Sequence, residues 1–226
     1  MQLIHKSTLD YLKKLKKNNN KAWFDENRKI YEKERAQFLE FITCLIADLS
    51  KINSDLSGID PKKTLFRINR DIRFSKNKSP YKTNMGSSIN KGGKMEGRAG
   101  YYFHLEPGST FIAGGAYSPM PLHLAEIRQE IDYNYVDFKK IIQSTTFKKY
   151  FSELVSIDKL KTNPKGYNSD NPAIEFLKHK SLIVSKSFTD KQVLSTDFYK
   201  EIISAYKAMH PFIRFLNNAL FNVDRK

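Results

Sequence analysis

Hydrophobic positions at helical spacing dominate both ends of the chain. Near the N-terminus, leucines recur every three residues and predict a short amphipathic helix over residues 7–17. Residues 18–20 are three asparagines, which break this helix and can cap the next one. A second apolar series then predicts one long helix that ends near Asn53. Its buried face comprises Trp23, Asn27, Ile30, Tyr31, Glu34, Phe38, Phe41, Ile42, Leu45 and Leu49.

The middle of the chain alternates between apolar and polar residues, which is the period of a strand. Pro107-Gly108-Ser109 supplies a turn between two such segments and predicts an antiparallel hairpin. Lys91–Gly97 is predicted to be a mobile loop, and Gly114-Gly115 predicts a bulge or a close approach of backbones. Four strands are predicted in this region, at residues 66–75, 85–90, 99–106 and 110–117.

The helical period returns after Pro121 and continues toward the C-terminus. Residues 163–167 are predicted to form a loop, and a short helix at 174–178 precedes a strand at 181–188. The chain closes on a long helix that Pro211 is predicted to kink or restart. Together these elements predict an α+β fold in which a small, mainly antiparallel sheet packs against long N- and C-terminal helices. One domain is expected over 1–226, with helices at about 7–53, strands at about 64–117 and a mostly helical part at about 121–222.

Composition excludes several classes of protein. A single cysteine, Cys44, rules out an intramolecular disulfide and a cysteine-based zinc site. The five histidines show no metal-binding spacing, so no metal and no cofactor is expected. The N-terminus has no apolar signal region and no apolar run reaches 18 residues, which predicts a cytoplasmic protein without a membrane span.

Positive charge is concentrated in one segment. Between Lys62 and Arg98 there are eleven lysines and arginines against two acids, so 37 residues carry +9 of the net charge of +15. This concentration predicts an anionic partner, either a phosphate-bearing ligand or nucleic acid. The predicted ligand-binding residues are Arg67, Arg70, Arg73, Ser75, Lys78, Tyr81 and Lys82.

If residues 66–75 form a strand, Arg70 lies on one face, and Arg67 and Arg73 lie on the other. Arg70 would lie on an apolar face and would need an acid such as Glu34 or Glu40, a set of carbonyls, or an anionic ligand. On the opposite face, Asp71 could orient Arg67 and Arg73 for phosphate recognition, or the three could form a solvated ladder of ion pairs. If the segment were helical instead, Arg67, Arg70 and Arg73 would align along one side.

Loop and aromatic residues extend this candidate site. Residues 75–82 follow directly and offer hydroxyls, lysines and loop amides that can cradle a phosphate, although they do not form a Walker A loop. Tyr81, Tyr101 or Tyr102 is expected to stack on a base.

Four motifs stand out along the chain: Asn18–Phe24, Arg67–Ser75, Pro80-Tyr81-Lys82 and Pro164-Lys165-Gly166-Tyr167. They resemble the motifs of domain of unknown function 2461, a family of bacterial and fungal hypothetical proteins. The resemblance covers nearly the whole chain and implies a single domain of this length, but it supplies no activity. The family usually has Ser-x-Asp-Lys where this chain has Asn77, and Asp followed by Asp-His-Pro where it has Asn168 and Asp170-Asn171-Pro172. Both departures disfavour acid–base chemistry.

Three hypotheses follow. The leading one is a basic cleft that binds a phosphate-bearing ligand or nucleic acid, in which Arg67, Arg73, Lys78 and Lys82 contact phosphate. The second is an enzyme acting on an anionic substrate, with Arg70, Asp71, His104 and Tyr81 as the catalytic set. The third is a buried ionic network, built on Asp71, that only stabilises the sheet.

Overall fold

Helices form the N-terminal part of the chain. The computed structural model describes residues 3–91 and 98–220. The chain begins with three helices and continues with a 3-10 turn and one further short helix. These elements are α1 (Lys6–Lys17), α2 (Lys21–Glu26), α3 (Arg28–Ile52), the 3-10 turn Ser54–Leu56 and α4 (Pro61–Thr64). The predicted helix end near Asn53 is confirmed.

The predicted second helix is divided in two at Asn27. The Asn27 backbone leaves helical geometry, with φ −102° and ψ 12°, and its side-chain amide donates a hydrogen bond of 2.9 Å to the carbonyl of Trp23. Asparagine side chains compete with the helix for backbone partners, which explains the break. The prediction of one uninterrupted helix is therefore wrong.

The sheet has four antiparallel strands in the order β1-β2-β3-β4. The predicted hairpin is confirmed, with Gly108 at φ +77° in its turn. The strands predicted at 85–90 and 181–188 are also confirmed. Their bounds are β1 (Met85–Ile89), β2 (Gly100–Leu105), β3 (Thr110–Ala116) and β4 (Leu182–Phe188). Apart from Lys91, the loop predicted at 91–97 lies outside the described residues.

Helices connect β3 to β4 and close the chain. The predicted short helix at 174–178 and the loop at 163–167 are confirmed, and the last helix runs through Pro211 without a break. These helices are α5 (Pro121–Tyr133), α6 (Tyr135–Gln143), α7 (Thr145–Lys148), α8 (Ile174–Leu177), α9 (Asp190–Val193) and α10 (Phe198–Leu220). The α+β class is confirmed.

The strand predicted at residues 66–75 is wrong. Backbone pairing is limited to two isolated antiparallel bridges, Leu65 with Ser87 and Asn69 with Tyr81. Beyond Arg70 the chain turns, and Phe74, predicted to share the buried face, is 96% exposed. A strand needs a continuous partner, and the turn toward Pro80 removes it.

The chain divides into two compact units. The first contains the described residues up to Ile89 together with Tyr102–Ile112 and Ser187–Ile203. The second contains the described residues of Asn90–Tyr101, Ala113–Lys186 and Ser204 onward. In the first unit, the Phe41 ring packs on Phe103 and Phe198, and in the second Phe138 packs on Phe212 and Phe215. The expectation of a single domain stays a prediction.

Candidate functional site

The first unit brings two of the sequence motifs together. The Asn19 side chain donates a hydrogen bond of 2.9 Å to the Tyr81 carbonyl and accepts one of 3.0 Å from the Tyr81 amide. The Phe24 ring stacks on Tyr81 with 4.0 Å between centroids. Residues around position 20 therefore hold the C-terminal end of the segment 66–82, which we call the basic loop.

Hydrogen bonds within the basic loop define its shape. The Asn77 side chain accepts a bond of 2.9 Å from the Ser79 amide, which is an Asx-turn. An aspartate oxygen could accept the same bond, so this turn does not distinguish Asn77 from a carboxylate. The Lys78 ammonium donates to the Ile72 carbonyl across the loop, at 3.1 Å.

Arg70 is held by neutral oxygens. Its guanidinium donates to the Ser79 carbonyl at 3.1 Å and to the Ser75 hydroxyl at 3.3 Å, and the side chain is half-buried. The predicted pairing with Glu34 is wrong, because the Glu34 carboxylate accepts hydrogen bonds from Ser7 and Thr8. Two of the five guanidinium donors are used in these bonds, so others can serve an anion.

Asp71 orients one arginine at the surface. The Arg73 guanidinium donates two hydrogen bonds to the Asp71 carboxylate, of 3.0 Å and 2.7 Å, and these bonds hold the pKa of Asp71 below its ordinary value. The two side chains are 76% and 47% exposed. The hypothesis of a buried ionic network is therefore wrong, because an exposed pair of this kind contributes little to stability.

Among the described residues, Phe74 is the most exposed large apolar side chain, at 96%. The Arg73 guanidinium lies 5.9 Å from the centre of its ring, and Arg67, Lys76 and Lys78 of the same loop are exposed. Folding alone does not account for a solvated phenyl ring among cations, since burial of the ring would stabilise the protein.

Two of the tyrosines expected to stack on a base are placed elsewhere. Tyr81 is 7% exposed and its ring is already stacked on Phe24. Tyr101 is buried at 1% exposure, and its hydroxyl shares a hydrogen bond with His210. These two predictions are wrong, and the exposed aromatic residues of the basic loop are Phe74, at 96%, and Phe66, at 39%.

Lys82 lies at the other end of the basic loop. Its ammonium is 5.2 Å from the centre of the Phe66 ring, and burial together with Arg67 lowers its pKa. Phe66 in turn meets Tyr102 of β2 edge to face, with 6.1 Å between ring centroids. The loop is thus in contact, through Phe66, with the half-exposed face of the sheet.

That face carries a chain of four polar side chains. The Tyr102 hydroxyl is 3.0 Å from Nδ1 of His104, and Nε2 of His104 is 3.2 Å from Oε2 of Glu106. The Thr83 hydroxyl donates a bond of 2.7 Å to Oε1 of Glu106, and Phe111 stacks on the imidazole at 4.6 Å. We call Tyr102, His104 and Glu106 the sheet triad. Burial, reinforced by the Glu106 charge, raises the pKa of Tyr102 to about 12.

Sequence reasoning named His104 but missed Glu106 and Thr83 as its partners. Residues two apart on a strand share a face, so the spacing of Tyr102, His104 and Glu106 carried this signal. Thr83 comes from another segment and gave none. The predicted catalytic set of Arg70, Asp71, His104 and Tyr81 is not joined by contacts, because His104 bonds to Tyr102 and Glu106, and Asp71 to Arg73.

The motif at Pro164–Tyr167 belongs to the second unit. Asn171 donates a side-chain hydrogen bond to Asp132 of α5, and its own oxygen accepts the Ala173 amide at 2.8 Å. Arg128, one turn before Asp132, donates a bond of 2.7 Å to the Leu177 carbonyl at the end of α8. This cluster joins α5 to α8, which is a structural role.

A model of the conserved hypothetical protein family DUF2461 matches residues 7–215. The chain belongs to this family. No curated protein and no solved structure matches the chain. In this chain the motifs at Asn18–Phe24 and Pro80–Lys82 lie together, because Asn19 hydrogen-bonds to Tyr81 and the Phe24 ring stacks on it.

Within residues 3–91 and 98–220, no helix is both long enough and apolar enough to cross a membrane. The same ranges contain no group of three histidine, cysteine or acidic side chains placed to hold a metal ion.

Proposed function

We propose that the basic loop binds single-stranded nucleic acid. Phe74 carries the proposal, because its ring is 96% exposed within the most basic segment of the chain. Proteins that bind single strands combine cations along the phosphate backbone with aromatic side chains on which bases stack. The neighbouring cations Arg67, Arg73 and Lys78 supply the first component and Phe74 the second.

After their hydrogen bonds within the loop, these cations keep unused N–H donors that can bind phosphate. Arg73 uses Nε and one terminal nitrogen on Asp71, which fixes the guanidinium plane, and Lys78 makes one bond to a carbonyl. An oriented guanidinium loses less conformational entropy when it binds phosphate. A membrane surface also attracts cations with an exposed ring, but one phenyl ring gives little apolar anchoring.

Equilibrium binding of labelled oligo-dT and oligo-U tests the proposal across a salt titration. Phe74→Ala should weaken binding about 5- to 150-fold, which corresponds to about 1–3 kcal/mol for one stacked base. The double variant Arg67→Gln/Arg73→Gln should make the dependence on salt weaker. The negative slope of log binding constant against log salt concentration should shrink in magnitude by about 1.4, since each phosphate contact on a single strand contributes about 0.7.

Matched controls separate this loop from the general charge of the protein. Lys140→Gln/Lys161→Gln removes the same charge from exposed positions of the second unit, and Tyr117→Ala removes another exposed ring. Both controls should bind like wild type. Equal affinity of wild type and Phe74→Ala, with an unchanged salt slope in the double arginine variant, would contradict the proposal.

The sheet triad supports a second candidate function, cleavage of a phosphate ester. A hydroxyl, a base within hydrogen-bond reach and a third group that orients the base are the signature of an activated nucleophile. With Nε2–H donated to Glu106, Nδ1 of His104 can take the Tyr102 proton in the same step in which the phenolic oxygen attacks phosphorus, so the phenolate that the raised Tyr102 pKa disfavours need not form beforehand. The bond from phosphorus to the leaving oxygen breaks, and His104 returns the proton to that oxygen.

An activated diester, bis(4-nitrophenyl) phosphate, is the probe for this second function. Wild type should release nitrophenolate and form a phosphorylated protein detectable by mass spectrometry, whereas Tyr102→Phe and His104→Gln should do neither. Tyr117→Phe, at an exposed position of the second unit, is the control and should retain full activity. Release no faster than the uncatalysed rate, or an unchanged rate in Tyr102→Phe, would refute the candidate.

A further inference from the structure

The second unit contains a pocket of about 310 Å³ that none of the motifs above explains. Its walls come from the end of α6, α7, residues 152–159 and α8, all within Ala113–Lys186. Pockets for small organic ligands begin at about 300 Å³ and combine apolar walls with a few polar groups. Here Ile142, Phe147, Leu154 and Phe176 supply the apolar part.

His179 is the residue that points to a ligand. It lines the pocket and is only 7% exposed, yet among the described residues its imidazole has no hydrogen-bond partner. No protein group in the part of the chain that the structure describes uses its ring nitrogens, and they are not sealed from solvent, so a molecule in the pocket can bond to them.

Backbone pairing fixes the position of this imidazole. His179 forms an antiparallel bridge with Lys159, and the amides of Leu160 and Lys180 donate to the carbonyls of Lys178 and Asp158 at 2.9 Å and 3.0 Å. Two segments of chain that are hydrogen-bonded to each other therefore hold the ring against the pocket. Burial, helped by Lys159, lowers the pKa of His179, so the ring is neutral and offers one donor and one acceptor.

The other polar groups indicate the charge of the ligand. Of the charged residues that line the pocket, Lys148 and Lys159 are matched by Glu153 and Glu175, and Lys159 pairs with Glu175 at 2.7 Å. The charges of the lining residues thus balance and favour an uncharged molecule. Gln143 at the rim adds another donor and acceptor to those of His179.

We infer that this pocket binds a neutral, planar heterocycle of nucleoside size, with His179 as its buried hydrogen-bonding partner. The site lies in a different unit from the basic loop and does not depend on the proposed function. Phe147 and Phe176 contact the faces or edges of the heterocycle, and the His179 imidazole hydrogen-bonds to one donor–acceptor pair on the heterocycle.

The test uses the full chain and four probes, adenosine, guanosine, cytidine and uridine. Binding is measured by saturation-transfer NMR and calorimetry on wild type, His179→Phe and Ser152→Trp. Ser152 is exposed at the pocket rim, so tryptophan there can fill the space without disturbing the core. Ser57→Trp, at an exposed position of the first unit, is the control.

At least one nucleoside should bind wild type with Kd below about 1 mM. His179→Phe and Ser152→Trp should each weaken that binding at least about tenfold, which is a difference of 1.4 kcal/mol. Ser57→Trp should leave it unchanged, and Phe74→Ala is measured beside it to detect stacking of the nucleoside on the basic loop instead. The inference is overturned if no nucleoside binds wild type, if both pocket variants bind normally, or if Phe74→Ala alone removes the binding.

Discussion

Asn19 shows how one side chain can replace a strand partner. Its amide makes both hydrogen bonds that a neighbouring peptide would make to Tyr81, one as donor and one as acceptor. These bonds fix the end of the basic loop, which is also held by the isolated bridge between Asn69 and Tyr81 and by the stacking of Phe24 on Tyr81. An apolar contact of the same size is non-directional and cannot fix the orientation of the Tyr81 backbone in this way.

Asn19→Ala should therefore destabilise the protein. Removing the amide leaves the peptide groups on either side of Tyr81 without these partners, at a cost of about 1–3 kcal/mol. Urea unfolding followed by circular dichroism measures the change. Asn168→Ala, at an exposed position of the second unit, is the matched control and should unfold like wild type. Equal midpoints for the two variants would show that the Asn19 bonds do not stabilise the fold.

The sequence could place site residues together only where they are two apart on one strand and therefore share a face. The spacing of Tyr102, His104 and Glu106 fixes a shared face once β2 is recognised. Exposure was not predictable: Tyr81 and Phe74 are both aromatic residues in a basic segment, and tertiary contacts bury the first and expose the second. The contact of Tyr81 with Phe24 joins residues far apart in the chain, which no local pattern encodes.

At the scale of elements, the periodicity of apolar residues predicted most helices and four of the five proposed strands. The hairpin, β1 and β4 were found because each has a continuous neighbour in the sheet. Residues 66–75 alternate equally well, yet their pairing ends at Arg70, where the Pro80 carbonyl accepts the last backbone bond. Alternation of apolar and polar residues indicates that a segment has two different faces, but it does not show whether a partner strand exists.

The glycine pair in β3 is an element-scale constraint that the sequence did reveal. Gly115 has φ +128°, and a Cβ there would collide with the backbone of Leu182 in β4. A Cβ on Gly114 would lie 2.9 Å from the Gly100 carbonyl and would also collide with Met209. The predicted close approach of backbones is confirmed, so these positions allow β3 to lie between its neighbours.

Gly115→Ala should lower the free energy of unfolding by at least about 3 kcal/mol, because backbone strain and overpacking add. Gly58→Ala separates the two effects, since Gly58 also has a positive φ, +78°, but a Cβ there meets no atom within 4 Å. That control should cost about 1 kcal/mol. Thermal and urea unfolding measure both. A Gly115→Ala variant no less stable than Gly58→Ala would mean that β4 can move away from β3.

At the scale of the whole molecule, charge sets how stability depends on pH. The net charge is already +15, so each carboxylate that takes up a proton adds to self-repulsion. Several carboxyl groups have pKa values below their ordinary range because they are ion-paired or hydrogen-bonded in the fold, and for Glu175 the value is about 2. These groups are Asp25, Asp48, Asp71, Glu175 and Asp190.

The sign of the effect follows from which state binds more protons. Below about pH 4.5 the unfolded chain protonates carboxyl groups that the fold keeps ionised, so their contribution is present above that pH and is lost as the pH falls toward 2. His179 acts in the same direction at higher pH. Its pKa is lowered in the fold from 6.5, so below pH 6.5 the unfolded chain gains a proton that the fold excludes.

The urea midpoint should therefore stay level above neutral pH, decline gently below about 6.5 and fall steeply below about 4.5. His179→Gln should remove the gentle decline and leave the steep one, because glutamine keeps a polar group in place but cannot titrate. Midpoints are measured from pH 8 to pH 3 at constant ionic strength, so that screening of the net charge does not vary. If the variant shows the same decline between pH 6.5 and 5 as wild type, the imidazole of His179 is not held neutral by burial, and another group is responsible.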